Sequence, residues 1–330
     1  MKQILNQLFE HQKLSHIQAK EVLTNISQNQ YNTSQIAAFI TVYLMRSISV
    51  DELAGFRDAL LELCIKIDFD GLPTVDLCGT GGDGKNTFNI STISSFVVAG
   101  AGYHVAKHGN YGVSSVSGSS NVLEHFGVIF SNDADILKKQ MDHCGICFLH
   151  APLFHPALKS VGPIRRELGV KTFFNMLGPL VNPAQPQQQS VGVFSLRLAR
   201  LYQYLHEDSQ KNYAIIHAIE GYDEISLTGP VKIISNNAEQ LVDANYFGLS
   251  NHRQKDIFGG DTVEEAANIF SKILNNQGSK AQQEVVIANS ALAIHCFDQS
   301  KSMLDCVAEA KESLVSGRAK TSFEKLINTH

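Results

Sequence analysis

DLCGTGGDGKNTFNIST, residues 76–92, joins an apolar strand to the start of a helix through four glycines. Glycine has no Cβ, so the backbone N–H groups of such a loop can turn inward and approach an anion closely. Asn89, Ser91 and Thr92 open the helix, whose amino end adds a positive dipole and hydroxyl donors. The segment therefore predicts a phosphate-binding strand–loop–helix unit, and the alternative is a tight turn that holds no ligand.

Two common nucleotide-binding motifs fit this loop only in part. Its glycines match G-x-G-x-x-G, but that motif expects an acidic residue about 20 positions later to bind a ribose. Here the next predicted strand is followed by Lys107 and His108. The loop also resembles the P-loop G-x-x-x-x-G-K, but Asn86 stands where a serine or threonine would bind Mg²⁺. The loop thus indicates phosphate binding of another kind.

From Gly71 onward, short apolar strands alternate with helical stretches. The predicted strands are Thr74–Leu77, Tyr103–Ala106, Ile146–Leu149, Ser190–Phe194, Tyr213–Ala218 and Val231–Ile234. This alternation predicts an α/β fold with a mostly parallel central sheet, helices on both faces and ligands at the carboxyl ends of the strands. Three C-terminal helices are expected to cover the sheet: Val263–Leu274, Gln282–Phe297 and Ser302–Ser316.

The first ~70 residues predict helices only. Ser15 with Gln18, and Ser49 with Glu52, have the spacing of a capping box at a helix start. Apolar side chains recur at helical period in two segments, Ser34–Arg46 and Asp51–Ile67. These features predict an amphipathic helical region ahead of the sheet.

Composition limits the classes of protein to which this chain can belong. The 330 residues are 44% hydrophobic and 18% charged with a net charge of −5, which predicts a folded protein that binds no nucleic acid. No apolar run approaches the ~18 residues of a membrane span, and no signal peptide is recognisable, so we expect a cytoplasmic protein without membrane contact. Cys144 and Cys147 form a C-x-x-C pair, which we interpret as a helix end running into a buried strand rather than a zinc or redox site.

Further polar clusters follow predicted strands. Lys107–Ser119 offers a lysine with glycine and hydroxyl residues, which suit either an anion or a solvated loop. Asp223 and Glu224 follow the strand Tyr213–Ala218, and adjacent carboxylates suit Mg²⁺. Because parallel strands end at one edge of a sheet, these clusters predict one shared site. Arg165 could bind a carboxylate through two hydrogen bonds, but its own segment taken alone favours a surface arginine.

Taken together, the motifs resemble those of the anthranilate phosphoribosyltransferases. The matching segments are GTGGDG at Gly79–Gly84, NIST at Asn89–Thr92, KHGN at Lys107–Asn110, SGSSNVLE at Ser117–Glu124, RRELGVKTFFNMLGPLVNP at Arg165–Pro183, and DE at Asp223–Glu224 followed by ISLTGP. The resemblance covers nearly the whole chain. It implies a Mg²⁺-dependent transfer of the phosphoribosyl group of 5-phosphoribosyl 1-pyrophosphate (PRPP) to the amine of anthranilate, in tryptophan biosynthesis.

The resemblance also implies the arrangement of the chain. We expect a small N-terminal α-helical domain over residues 1–70, joined in space by part of residues 160–185, and a large α/β domain over residues 71–330. The substrates would lie between these domains. Two copies of the chain would form a homodimer through their helical domains.

Individual residues receive roles from the same resemblance. PRPP would be bound by Gly79, Gly82, Asp83, Thr87, Asn89, Ile90, Ser91, Thr92, Lys107, His108, Gly109, Asn110, Ser114, Ser115 and Ser119. Anthranilate would be bound by Gly79, Asn110, His155, Arg165 and Gly178. The metal would be bound by Ser91, Asp223 and Glu224. We assign no covalent nucleophile and no general base, because orientation, metal positioning and exclusion of water on domain closure can support direct attack of the weakly basic amine on C1 of the ribose.

The chain departs from the family pattern at one segment. The usual KHGNRSVSSKSG is KHGNYGVSSVSG here, so Tyr111, Gly112 and Val116 replace Arg, Ser and Lys and reduce the positive charge near the diphosphate.

Two alternative functions predict other features of the sequence. A pyrimidine nucleoside phosphorylase shares the fold but would carry a different phosphate loop, and a nucleic-acid-binding paralogue would be basic and would lack Asp223 and Glu224.

Overall fold

The computed structural model describes residues 1–112, 116–207 and 209–329. Ser114 and Ser115, which the resemblance assigns to PRPP, lie outside the described residues. No helix in the described ranges combines the length and the apolar character that a membrane crossing requires.

The chain packs into two compact units. The helical unit comprises Met1–Ile67 and Ala151–Pro183. The α/β unit comprises Asp68–His150 and Ala184–His330. The internal segment Ala151–Pro183 therefore belongs to the same unit as the N-terminal helices.

The helical unit consists mainly of α-helices, and the α/β unit has its own α-helices, which pack against its sheet. In chain order the α-helices of the described residues are α1 (Lys2–Phe9), α2 (His16–Ser27), α3 (Thr33–Met45), α4 (Val50–Leu63), α5 (Ile90–Gly100), α6 (Ser119–His125), α7 (Ala134–Cys144), α8 (Ala151–Phe154), α9 (Gly162–Leu168), α10 (Phe174–Leu177), α11 (Leu196–Glu207), α12 (Val263–Leu274), α13 (Lys280–Phe297), α14 (Met303–Val315) and α15 (Arg318–Ile327). Short 3₁₀ helices span Pro156–Leu158, Gly178–Leu180, Ala244–Phe247 and Gln254–Ile257.

The predicted N-terminal helices are present with shifted ends. Helix α4 ends at Leu63 rather than at Ile67, because the chain beyond it bonds elsewhere in the unit. The N–H of Ile65 donates to the carbonyl of Phe154 (2.9 Å), and that of Ile67 donates to Pro183 (3.4 Å). Both predicted capping boxes are confirmed, and the structure adds a third that begins α3.

Glu52 and a set of aromatic rings form the interior of the helical unit. The Glu52 side chain is fully buried and accepts hydrogen bonds from the guanidinium of Arg46 (3.0 Å) and the N–H of Leu14 (2.9 Å). Burial would raise the pKa of Glu52, but these hydrogen bonds outweigh it and hold that pKa below its usual value. The rings that pack together beside it are Phe39, Tyr43, Phe56 and Phe173.

One sheet organises the α/β unit. Its strands are β1 (Val75–Gly79), β2 (Val105–Gly109), β3 (Ile146–His150), β4 (Gln188–Gly192), β5 (Asn212–Ala218), β6 (Val231–Ser235) and β7 (Glu239–Val242). Their order across the sheet is β3-β2-β1-β4-β5-β6-β7. β1 to β5 are parallel, while β6 and β7 pair antiparallel, so the prediction of a mostly parallel sheet is confirmed.

Two elements at the end of the chain and the edge of the sheet differ from the predictions. The helices predicted from Val263, Gln282 and Ser302 are confirmed as α12, α13 and α14, but α15 follows as a further helix. Gly317 adopts a left-handed φ of +80° and separates α14 from α15, so the chain turns at once into a new helix. β7 was not predicted, because its mostly exposed residues show no apolar strand pattern.

The parallel strands bring their following loops to one edge of the sheet. The last residue of β1, Gly79, pairs with the last residue of β4, Gly192. β2, which borders β1, ends at Gly109, and β5, which borders β4, ends at Ala218 in the same sheet. The glycine loop, the loop after Lys107 and the acidic pair therefore start from this common edge, as the sequence predicts.

Candidate active site

The glycine loop begins beside the end of β4. The N–H of Thr80 donates to the carbonyl of Gly192 at 2.9 Å. Gly81, Gly82 and Gly84 then adopt φ values of +64°, +76° and +73°, a region that residues with a side chain rarely enter. The glycines are thus required by the path of the loop itself.

The acidic pair follows β5, two strands away from β1 in the sheet, and closes this loop from there. The Oδ2 atom of Asp223 accepts a 2.7 Å hydrogen bond from the N–H of Gly81. The Oε1 atom of Glu224 accepts a 2.9 Å hydrogen bond from the N–H of Ser91, in the first turn of α5. The Asp223 main chain also packs tightly on Gly192, where a Cβ would lie 1.4 Å from the Asp223 carbonyl oxygen. The loop and the pair therefore form one structure.

The electrostatics of the pair fit a divalent cation. Burial, with the nearby charge of Asp83, raises the pKa of Asp223 to about 7. Burial and the charge of Asp223 raise the pKa of Glu224 well above its usual value. The site thus disfavours two negative charges at once, and a cation would offset this repulsion.

The chemistry of the donors fits Mg²⁺ in particular. The carboxylates of Asp223 and Glu224 and the hydroxyl of Ser91 are oxygen ligands, which Mg²⁺ prefers. In the part of the chain that the structure describes, no cluster of three or more His, Cys, Asp or Glu is arranged to hold an ion. Mg²⁺ in phosphate-transfer sites is usually held by one or two carboxylates together with substrate phosphates and waters, and the donors found here match that pattern.

Lys107 lies beneath the loop rather than at its surface. Its side chain is only 2% exposed, and its ammonium donates to the carbonyl of Leu77 and lies 3.4 Å from the hydroxyl of Ser91. Burial lowers the pKa of Lys107, while the charges of Asp76 and Glu224 oppose that change. Its positive charge thus reaches the site through Ser91 and Glu224.

The segment after β2 joins the same edge. The side-chain amide of Asn89 donates to the carbonyl of Ser117 at 3.0 Å, which links the start of α5 to this segment. The hydroxyl of Ser119 donates to the carbonyl of Asn110 at 3.3 Å. At Gly109 a Cβ would lie 2.4 Å from that hydroxyl, so only glycine fits there. The two predicted phosphate clusters are therefore in direct contact.

Several other residues assigned to PRPP lie in the same region, and some of them are buried. Ile90 and Thr92 are buried in the first turns of α5, where their side chains belong to the packing. His108 is buried in β2, and its N–H donates to Asp76 at 3.3 Å. Thr87 forms a bridge with Phe258, which holds the far end of the glycine loop.

The residues assigned to anthranilate alone lie in the helical unit. Arg165, on α9, is half-buried; its Nη2 donates to the Oδ1 of Asn175 at 3.2 Å, and its Cζ lies 5.3 Å from the ring centre of Phe174. His155 is buried, and burial lowers its pKa to about 4, so it is neutral at pH 7. A Cβ at Gly178 would meet no atom within 4 Å, so this glycine borders open space.

Polar residues that the sequence analysis overlooked support the acidic pair and Lys107. The side-chain oxygen of Asn289 accepts from the N–H of Ile225 (3.0 Å) and its amide donates to the Ile225 carbonyl (2.9 Å), which fixes the residue after Glu224. Asp76 is fully buried in β1 near Lys107. Each had a signal, because each is a polar residue inside an apolar stretch.

Family comparisons cover almost the whole chain. Residues 71–320 match a glycosyl transferase family α/β domain. Residues 2–64 match the helical bundle domain of a glycosyl transferase family. The chain is 60% identical to the anthranilate phosphoribosyltransferase of Christiangramia forsetii over 99% of this chain and 98% of that protein. It is 53% identical to that of Cytophaga hutchinsonii, over 99% of this chain and all of the relative.

Solved structures give the same result. The crystal structure of anthranilate phosphoribosyltransferase from Thermus thermophilus superposes with a TM-score of 0.89 at 29% identity, over 98% of both chains. The Saccharomyces cerevisiae enzyme in complex with PRPP and Mg superposes with a TM-score of 0.90 at 25% identity, over 98% of this chain and 96% of that one.

Proposed function

The chain belongs to the anthranilate phosphoribosyltransferase family, and from this premise we propose how its residues carry out the reaction. The enzyme transfers the phosphoribosyl group of PRPP to the amine of anthranilate and releases pyrophosphate. One observation carries the assignment of residues: Gly81 and Ser91, at the two ends of the glycine loop, bond to Asp223 and Glu224. The proposed phosphate donors and the proposed metal ligands are thus joined by hydrogen bonds.

We propose that the glycine loop and the start of α5 bind the phosphates of PRPP. The loop glycines leave room for close approach, and α5 has the length to present a positive amino end to an anion. Asn110 and Ser119, from the segment after β2, would complete the contacts. Lys107 would act from below by adding a positive charge next to Ser91.

Ser91, Asp223 and Glu224 would hold Mg²⁺. Bound there, Mg²⁺ would neutralise charge on the pyrophosphate leaving group. The protein's own residues fix the position of the carboxylates, through the N–H groups of Gly81 and Ser91 and through the support of Ile225 by Asn289. Fixed donors of this kind need no reorganisation during the reaction.

Arg165 is the proposed partner of the anthranilate carboxylate. A guanidinium can form two parallel hydrogen bonds with a carboxylate. Asn175 and Phe174 limit the orientations that the Arg165 side chain can adopt. Neutral His155 and the open surface at Gly178 would border the aromatic ring without adding charge.

A fluorescence assay of anthranilate consumption tests this function. The purified chain should consume anthranilate when PRPP and Mg²⁺ are both present, and activity should fall sharply when EDTA removes the metal. A parallel reaction with thymidine and phosphate tests the nucleoside phosphorylase alternative. Consumption of thymidine without consumption of anthranilate would overturn the proposal.

We also propose a homodimer that forms through the helical unit. Large apolar side chains are exposed on or beside its first helices, at Phe9, Ile17, Leu44 and Met45, and an apolar surface of this kind favours association. Sedimentation should give twice the chain mass, and Ile17→Glu with Met45→Glu should give monomers. Leu304→Glu, an exposed leucine on α14, is the control that should leave the dimer intact.

A cytoplasmic location is the last part of the proposal. The cysteines, among them Cys144 and Cys147, are free thiols, and most of them are buried. Free thiols persist in a reducing compartment. Cell fractionation with an activity assay would test the location.

A further inference from the structure

We infer that Asn121 is a positioning residue that prepares the diphosphate-binding segment of this enzyme. Its side-chain Oδ1 accepts a 2.9 Å hydrogen bond from the N–H of Gly112 and another of 2.9 Å from the N–H of Gly118. One oxygen atom thus links the main chain of Gly112 to that of Gly118. The inference rests on the proposed function, because that function gives Asn110 and Ser119 their substrate.

The main chain is crowded where Asn121 acts. A Cβ at Gly118 would lie 2.2 Å from the Gly112 nitrogen and 2.8 Å from the carbonyl oxygen of Asn110. The N–H of Ser120 donates to that same carbonyl at 3.1 Å. Two N–H groups therefore meet in a space that admits no extra side chain, and a single fixed acceptor can satisfy both.

Asn121 is well placed to serve as that acceptor. It lies in the first turn of α6, whose next residues, Val122 and Leu123, are buried in the core of the α/β unit. The helix therefore anchors the side chain. Water could also accept the two hydrogen bonds, but water would not fix the distance between the two ends of the segment.

A second contact steadies the same segment from outside. The hydroxyl of Tyr111 lies 3.2 Å from a carboxylate oxygen of Glu124, and its ring packs edge-on against His150 at 5.0 Å. Tyr111 replaces a basic residue of the family pattern, so at this position the chain has a structural contact in place of a charge. Tyr111, Gly112 and Gly118 are thus held by contacts within the protein before PRPP arrives, which lowers the ordering cost of binding.

Three variants of one residue test the inference. Asn121→Leu and Asn121→Ala remove the acceptor, and Asn121→Asp keeps it. We expect the two apolar variants to raise the KM for PRPP by about tenfold or more, as the loss of two modest hydrogen bonds would, with kcat changed far less. Asn121→Asp keeps the acceptor but adds a negative charge near the proposed diphosphate site, so this variant is compared by hydrogen exchange rather than by KM. Asn275→Leu is the control, since the side chain of that exposed asparagine bonds to Ser271 at its own helix end.

Amide hydrogen exchange provides a readout that needs no activity. In the ligand-free protein, exchange at Gly112 and Gly118 should quicken in Asn121→Leu and remain slow in Asn121→Asp. Unchanged exchange in a folded Asn121→Leu or Asn121→Ala protein, or exchange as fast in Asn121→Asp as in Asn121→Leu, would overturn the inference. If the wild-type chain did not use PRPP at all, the proposed function would fail while the exchange measurement still decided the role of Asn121.

Discussion

Asp223 and Gly79 are in contact across the edge of the sheet. A Cβ at Gly79 would lie 2.4 Å from the Oδ2 atom of Asp223, the same atom that accepts the N–H of Gly81. The carboxylate that we propose as a metal ligand therefore rests on the backbone of the glycine loop. Any displacement of one should displace the other.

Gly79→Ala is the most direct test of this coupling. The added methyl group must push the Asp223 carboxylate away, because the structure offers a Cβ no room there. We expect kcat/KM for PRPP to fall on the order of 100-fold, as a misplacement of about 1 Å in a catalytic group can cause. The fluorescence assay at saturating anthranilate measures the change.

Gly162→Ala is the matched control for that substitution. A Cβ at Gly162 would meet nothing within 4 Å, so activity should remain near the wild-type value. Equal activity of the Gly79→Ala and wild-type enzymes would show that the contact does not position the carboxylate.

Neutralising the acidic pair should separate activity from stability. Asp223→Asn with Glu224→Gln removes both proposed metal carboxylates, so turnover should become undetectable at any Mg²⁺ concentration. The folded protein should be at least as stable, because two repelling buried charges are lost. Activity assays and thermal unfolding measure the two effects.

The same chemical change at exposed positions controls for nonspecific effects. Glu264→Gln with Glu312→Gln should leave both activity and melting temperature unchanged, since these carboxylates face solvent. Residual Mg²⁺-dependent turnover in the Asp223→Asn, Glu224→Gln enzyme would remove the metal assignment.

Local sequence pattern predicts most of the fold of this chain. β1 and β5 are apolar runs bounded by turn residues, and their positions follow from periodicity alone. The end of α4 does not follow from the local pattern, because the hydrogen bond from Ile65 to Phe154 joins residues far apart in the sequence. The exposed strand β7 could not be predicted for a related reason. Its place in the sheet is determined by pairing with β6 rather than by its own side chains.

The site shows the same division between local and distant information. Strand ends predict that the glycine loop, Lys107 and the acidic pair converge, and the structure brings them together. Sequence alone did not predict that Lys107 lies under the loop, since a lysine after a strand looks like a direct ligand. The role of Asn289 also depends on a contact between distant segments.

Arg165 and Asn175 should act together on anthranilate. Arg165→Ala should raise the KM for anthranilate far more than that for PRPP, because it removes the proposed carboxylate partner. Asn175→Ala should raise the same KM by a smaller factor, since the guanidinium would lose one contact that orients it. The double variant should be no worse than Arg165→Ala, and steady-state kinetics with each substrate varied measure all three.

Arg166→Ala is the control within the same helix. Arg166 is exposed on α9, so its loss should leave both KM values unchanged. Equal increases in the KM for anthranilate and for PRPP in Arg165→Ala would refute the specific role of Arg165.

Glu52 should make the stability of the helical unit depend on pH. Hydrogen bonds from Arg46 and Leu14 hold the pKa of buried Glu52 below its usual value, so its stabilisation is complete above the unfolded pKa of about 4.3 and is lost as pH falls through the folded pKa. At pH 7 Glu52→Gln should lower the free energy of unfolding by about 3 kcal/mol, because it removes one charge of the buried ion pair with Arg46. The difference in unfolding free energy from wild type should shrink below about pH 4, where protonated Glu52 resembles glutamine.

Urea unfolding followed by circular dichroism measures this difference. Glu62→Gln is the control: Glu62 is an exposed partner of Lys20, and its loss should cost less than about 1 kcal/mol. A destabilisation that stayed constant from pH 7 to pH 3 would mean that the glutamate acts through its shape rather than its charge.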